Sequence, residues 1–228
     1  MPSNIFITGT DTAIGKTWVT LGVMAAFQSV GISVVGMKPV ASGCRPTEQG
    51  LRNEDAEQLL NQSSVPVAYD LVNPFAFEPA IAPHIAAAEV GCKISLSKIE
   101  SCYQALTERA ECCIVEGVGG WLVPLTPTQT VADLVRHLGL SVILVVGIRL
   151  GCINHALLSV ESIQRGGNEL LGWVANHSES EVERSEENIL TLEERIDAPL
   201  LARIPWFTKP TVPDFASRMM PITDQASG

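Results

Sequence analysis

Nine residues, "GTDTAIGKT" at Gly9–Thr17, constrain this chain more than any other stretch. A glycine turn ending in Gly-Lys-Thr can cradle a phosphate when a strand leads into it and a helix leads out. Both flanks meet that condition. Asn4–Thr8 is short, apolar and β-branched, and "KTWVTLGVMAAFQSVG" carries apolar residues at helical spacing before stopping at Gly31. "ISVVGMKPV" then reads as a second strand, and a strand–loop–helix–strand unit makes its two strands parallel. The loop is one residue longer than the common G-x-x-x-x-G-K-[ST] spacing, because Thr10, Asp11, Thr12, Ala13 and Ile14 separate Gly9 from Gly15.

Further along, "CCIVEGVGG", "SVILVVGIR", "LLGWVANH" and "APLLARIPW" read as third to sixth strands. Helical patterns at 131–138, 152–166 and 181–196 lie between them. Residues 42–80 look irregular and are followed by two helices near 82–90 and 95–110. Near-continuous apolar strands alternating with helices predict a parallel sheet covered on both faces, of the P-loop NTPase type. The 228 residues fit one such domain, 1–228, with the chain past about residue 207 a less ordered tail and "ITDQASG" frayed.

The net charge of −10 argues against a nucleic-acid surface, and seven of the 25 acidic residues fall between Glu179 and Glu194, on what reads as a solvated helix face. The cysteines at 44, 92, 102, 112, 113 and 152 lack CxxC spacing and read as free thiols. His84, His137 and His155 have no ligand spacing and read as packing or surface residues. With no basic leader, cleavable segment or span-length apolar run, the expectation is a soluble cytoplasmic protein.

In a parallel sheet, ligands gather at the carboxyl ends of the strands. Five loops fall there, at Gly9–Thr17, Lys38–Ser42, Glu116–Gly120, Asn176–His177 and Pro205–Trp206. Gly15 lets backbone approach a phosphate, Lys16 can reach the outer phosphates, and the Thr17 hydroxyl suits Mg²⁺. Glu116 ends an apolar strand, where an unpaired carboxylate is costly, and suits the same metal. Asp55, in "RNEDAEQ", reads equally as a metal ligand or as part of a charged helix start. Lys38 projects from the second strand, so two lysines face one volume in which charge on a transferring phosphoryl group would gather.

"TGTDTAIGKT", "KPVASG", "LRNEDA", "VNPFAF", "PHIAA", "VEGVGGW", "VILVVGIRLGCINHALL", "GWVAN" and "APLLARIPW" run in order across residues 5–206. Together they resemble the dethiobiotin synthetases of biotin biosynthesis, and the "LGCINHALL" run is far more specific than a phosphate loop. The resemblance implies an ATP- and Mg²⁺-dependent ligase. Such an enzyme joins CO2 to 7,8-diaminononanoate as a carbamate, phosphorylates the carbamate and closes a cyclic urea. It carries metal binding to Thr17, Asp55 and Glu116, and carbamate and phosphoryl contacts to Thr12, Lys16 and Lys38. Substrate contact falls on Ser42. ATP contacts fall on Ala13, Ile14, Gly15, Lys16, Thr17, Trp18, Asp55, Glu116, Gly117, Val118, Gly119, Asn176, His177, Pro205, Trp206 and Phe207.

The resemblance also implies a homodimer in which Cys152, Ile153 and Asn154 hold the substrate carboxylate of the neighbouring subunit. The longer loop is the family's own form, and its extra residue would bring Thr12 near the γ-phosphate and carbamate. Ala13 stands where relatives commonly have an acid, and His177 where an Asp often follows the Asn; the second departure bears on nucleotide preference. The alternatives are a non-catalytic paralogue and an ATP-driven switch of the deviant P-loop class. The latter carries a signature lysine early in the loop, and residues 9–14 contain none.

Overall fold

The computed structural model describes residues 4–225, and the side chains of residues 4–219. The chain runs β1 (Ile5–Gly9), α1 (Lys16–Ser29), β2 (Val34–Met37), β3 (Val40–Ser42), β4 (Arg45–Thr47), β5 (Gly50–Arg52), α2 (Glu54–Gln62), α3 (Tyr69–Val72) and β6 (Phe75–Phe77). It continues with α4 (Pro83–Glu89), α5 (Leu96–Thr107), β7 (Cys112–Glu116), α6 (Val131–Leu138), β8 (Ser141–Gly147), α7 (Cys152–Arg165), β9 (Leu170–Asn176), α8 (Ser185–Glu193), β10 (Leu200–Ile204) and α9 (Val212–Gln225).

Six strands form a parallel sheet in the order β10-β9-β8-β1-β7-β2. Successive side chains of a strand face opposite ways, and here both faces are apolar. Ile5 and Ile7 of β1, with Ile143 and Val145 of β8, pack beneath α1 and α9. Phe6, Val142, Leu144 and Val146 pack into the larger core with residues of α5, α6 and α7. Two buried faces explain why the strands read as unbroken apolar runs rather than alternating ones.

From β1 the chain crosses over β7 to β2; after β7 it crosses the other way, over β1 to β8. The loops leaving β1 and β7 therefore part at their carboxyl ends and open a crevice there. That crevice is where the phosphate-like loop sits.

Three details differ from the sequence expectation. The second predicted strand breaks in two: β2 stops at Met37, and Val40–Ser42 pairs instead with β6 in a separate two-stranded sheet. Pro39, which has no N–H to donate to a ladder, stands at the break. There the Lys38 N–H donates to the Val72 carbonyl at 2.8 Å, and Asn73 Nδ2 donates to the Lys38 carbonyl at 2.6 Å. Residues 42–80 are also less irregular than expected, since they hold the antiparallel β4–β5 pair, α2 and α3.

Past residue 207, where a less ordered tail is expected, Val212–Gln225 form α9; residues 226–228 of the expected frayed end lie outside the described residues. At the start of this helix Thr211 N and Oγ1 both donate to Asp214 Oδ2, and the Asp214 N–H donates to the Thr211 carbonyl at 3.1 Å. Phe215 and Met219 are buried against α1. Close approach depends on Gly22 of α1, where an added Cβ would lie 2.6 Å from Phe215 Cβ.

Gly22→Val should therefore push α9 off α1. The expected loss is about 2 kcal/mol, the usual scale for overpacking a close contact. Urea unfolding read by tryptophan fluorescence measures it, and an unchanged midpoint would mean that α9 does not depend on this contact.

Candidate active site

The crevice opens into a cavity of about 810 Å³ lined by three of the predicted loops together with the start of α2. Thr12, Ala13, Gly15, Lys16, Thr17 and Trp18 line one side, and Lys38, Ser42, Asp55, Glu116, Val118 and Gly119 line the rest. A second cavity, of about 180 Å³, lies on the far side of the same loop. Ala13, Gly15 and Trp18 border it as well, with Asn176, His177, Pro205, Trp206 and Phe207. The phosphate-like loop thus borders two spaces, the larger lined by the charged side chains Lys16, Lys38, Asp55 and Glu116 and the smaller by the rings of Trp18, Trp206, Phe207 and Phe215.

The loop is held in a tight, partly left-handed path. Ala13 has φ 57° and Gly15 φ 84°. Left-handed backbone costs an alanine about 1 kcal/mol, whereas glycine adopts it freely. Any Cβ at Gly15 would also collide with Asn176 Nδ2. That amide donates to the Ile14 carbonyl at 2.7 Å, so Asn176, at the end of β9, braces the loop from behind. Arg149 forms an ion pair with Asp11 from the end of β8. Lys16 Nζ donates to the Asp11 carbonyl at 2.6 Å, and the first turn of α1 brings backbone N–H groups without helical partners to the cavity wall.

Opposite the loop lies a charged cluster. Glu116 has no exposed surface. Its Oε1 accepts from Lys38 Nζ at 2.5 Å and from Thr17 Oγ1 at 3.0 Å. Its Oε2 is buried without a hydrogen-bond partner among the described residues. Lys38 Nζ also donates to Asp55 Oδ2 at 3.0 Å and to the Gly117 carbonyl at 3.2 Å. Burial pulls the Lys38 ammonium down, but the Glu116 and Asp55 carboxylates outweigh it and its pKa rises. Burial pushes the Asp55 carboxyl up, and Lys38 more than reverses this.

Lys16 has the opposite balance. Burial first, then the neighbouring Lys38, lowers its pKa to about 8. The two lysines are thus poised differently, one clamped by carboxylates and one short of negative charge. A phosphate chain on the loop would supply what Lys16 lacks.

Not every expected residue lines one of these two cavities. Ile14 is buried beneath the loop and Gly117 stands behind Glu116, offering its carbonyl to Lys38. Cys152, Ile153 and Asn154 open α7 after β8 and line neither cavity. Conversely, Asn53, Gln58 and residues 80–83 line the large cavity, and Ser178, Pro210 and Phe215 the small one, without having been singled out from sequence. Asn53 carried a readable signal, since it caps α2 by accepting from the Ala56 N–H at 3.2 Å. Phe215 carried none, because it arrives on a helix the sequence pattern did not reveal.

The lowered pKa of Lys16 has a measurable consequence. Between about pH 8 and pH 10.5 the ligand-free folded protein has lost a proton that the unfolded chain keeps, so this group's contribution to stability rises with pH across that window. Seating a triphosphate restores the proton. Calorimetry of ATP binding at about pH 9, in two buffers of different ionisation enthalpy, should show net uptake approaching one proton that Lys16→Gln abolishes. Binding with no uptake would contradict this assignment.

A family model described as "AAA domain" matches residues 3–213. The chain is 53% identical over 206 residues to the ATP-dependent dethiobiotin synthetase BioD of Pseudomonas paraeruginosa, covering 90% of each protein. It is 52% identical over 200 residues to the protein of the same name from Cellvibrio japonicus, covering 88% of each. Among solved structures it resembles the MinC:MinD cell division protein complex of Aquifex aeolicus, with TM-score 0.57, 16% identity and coverage of 99% of this chain and 89% of that one. At that identity the likeness concerns the fold alone. Identity near half over nine-tenths of the length is of another order, and the chain belongs to the ATP-dependent dethiobiotin synthetase family.

Proposed function

We propose that the chain performs the family reaction at the large cavity, closing 7,8-diaminononanoate and CO2 into the cyclic urea of dethiobiotin with cleavage of ATP to ADP and phosphate. One amine of the substrate adds to the carbon of CO2 and loses a proton, giving a carbamate. A carbamate oxygen then takes the γ-phosphoryl group, and ADP leaves. The second amine attacks the carbamoyl carbon, loses a proton and expels phosphate. Two anions, carbamate and triphosphate, must meet in the phosphoryl-transfer step, and the single observation that carries the reading is the pair of buried lysines lining one cavity.

Lys16 and the α1 N-terminus hold the phosphate chain, and Thr12 and Lys38 hold the carbamate beside the γ-phosphate. Ser42 Oγ, buried with no partner among the described residues and on a residue lining the same cavity, is a donor available to the substrate. Cys152, Ile153 and Asn154, outside the cavity of their own chain, are left to serve a neighbouring subunit in a homodimer.

The residues present fit a magnesium ion. The Thr17 hydroxyl donates to Glu116 Oε1, and Lys38 Nζ bridges the Glu116 and Asp55 carboxylates, so these three side chains bring together an all-oxygen set of the kind this cation takes. Among the described residues no three His, Cys, Asp or Glu side chains gather to hold a metal, so two carboxylates and a hydroxyl leave positions for phosphate oxygens and water. When bound, magnesium would neutralise charge on the β- and γ-phosphates.

Two measurements test the reading. ADP release should require ATP, Mg²⁺, bicarbonate and 7,8-diaminononanoate together, and Lys38→Ala should lower kcat by about a hundredfold or more. Nucleotide binding without turnover under any of these conditions would favour a non-catalytic paralogue. Separately, Lys38→Met leaves Glu116 buried without its cation and should cost about 3 kcal/mol. Magnesium alone should restore part of that loss, read as a larger rise in Tm than in the unsubstituted protein. A Tm indifferent to magnesium would argue against metal binding at these carboxylates.

A further inference from the structure

We propose that His177 selects the nucleobase, favouring triphosphates whose base carries an exocyclic amine over those with a carbonyl at the same position. The inference rests on the ATP reading above and takes the small cavity as the seat of the base. Six of its residues are Trp18, Pro205, Trp206, Phe207, Pro210 and Phe215, surfaces on which a flat heterocycle can lie. The loop residues Ala13 and Gly15 border both cavities, so a base in the small one continues directly into phosphates in the large one. Selection must then come from the polar side chains, Asn176, His177 and Ser178.

The backbone settles what His177 can offer. Its ring Nδ1 lies 2.9 Å from the Ile204 carbonyl, and its own backbone N–H donates to the same oxygen at 2.9 Å. A carbonyl only accepts, so Nδ1 carries the hydrogen and, in the neutral ring, Nε2 is left with a lone pair. Nε2 has no hydrogen-bond partner among the described residues and is not among their buried unpartnered atoms. Asn176 points the same way chemically. Its Nδ2 is engaged by the Ile14 carbonyl, while its Oδ1 accepts no hydrogen bond among the described residues. Ser178 can donate or accept and so does not discriminate.

The polar edge of the cavity is therefore rich in acceptors. An amine such as that of adenine meets a lone pair at Nε2. The carbonyl of a 6-oxopurine would set two acceptors against each other and leave both unsatisfied. An aspartate at this position would also be an acceptor, but a charged one with no donor for Ile204, so His177 supplies a neutral acceptor whose orientation the sheet fixes.

The test compares affinities of the full chain, by calorimetry in mildly alkaline buffer, for ATP, ITP, the triphosphate of unsubstituted purine riboside, and inorganic tripolyphosphate. The expected order is ATP tightest, the unsubstituted purine next and ITP weakest, with ATP about tenfold or more tighter than ITP. His177→Phe keeps a ring but removes the acceptor. It should cut the ATP-to-ITP ratio severalfold while leaving tripolyphosphate affinity unchanged, which also reports that the loop remains folded. Equal affinity for ATP and ITP, or a ratio unmoved by His177→Phe, would overturn the selection and leave the ATP reading standing. ATP binding no tighter than tripolyphosphate would instead overturn the seating of the base, and the selection with it. Should the variant not fold, equal affinity of the native protein for ATP and ITP still overturns the selection, and His177→Gln repeats the test of the ring's part in it.

Discussion

A carboxylate with no exposed surface, Glu116 at the end of β7, sets the terms for the rest of the site. Charge taken out of water must be met at close range or it is lost to protonation. Lys38 meets it at 2.5 Å and, in doing so, is itself held in a buried position that would otherwise strip its proton. Thr17 and Asp55 complete the arrangement from α1 and α2. Four elements are tied together because one buried charge requires it. Removing a partner is therefore expected to disturb folding and chemistry together.

The arrangement serves chemistry because it leaves something over. Glu116 retains an unused oxygen, Ser42 an unused hydroxyl and Lys16 a deficit of negative charge. In a protein interior such groups are costly unless something fills them. In the proposed reaction a metal, a substrate and a phosphate chain would be the complements of those three. Burial that weakens the ligand-free site would thereby contribute to binding when the ligands arrive.

Much of this was legible in the residues. Strand ends could be placed because both faces of the sheet are buried and the apolar runs stop where the chain leaves the core. The phosphate-like loop and the Lys38 and Glu116 positions followed from those ends. Asp55 did not, since spacing alone left it equally a ligand or a helix start; its contacts with Lys38 and Thr17 join it to the cluster. The break at Pro39, the β4–β5 pair and α9 were missed. Each is short or weakly periodic and depends on partners far along the chain, such as Val72 for Lys38 and Gly22 for Phe215.

The sequence by itself determined the parallel sheet, the loop at its edge and, through ordered motifs across most of the chain, the family. These rest on local periodicity and on residue types whose chemistry does not depend on neighbours. Tertiary structure alone decided which lysine is clamped and which is poised, that Asn176 braces the loop, and that the His177 ring spends its hydrogen on Ile204. Protonation, tautomer and burial depend on distances between groups from separate elements, and those distances exist only once the sheet has brought the strand ends together.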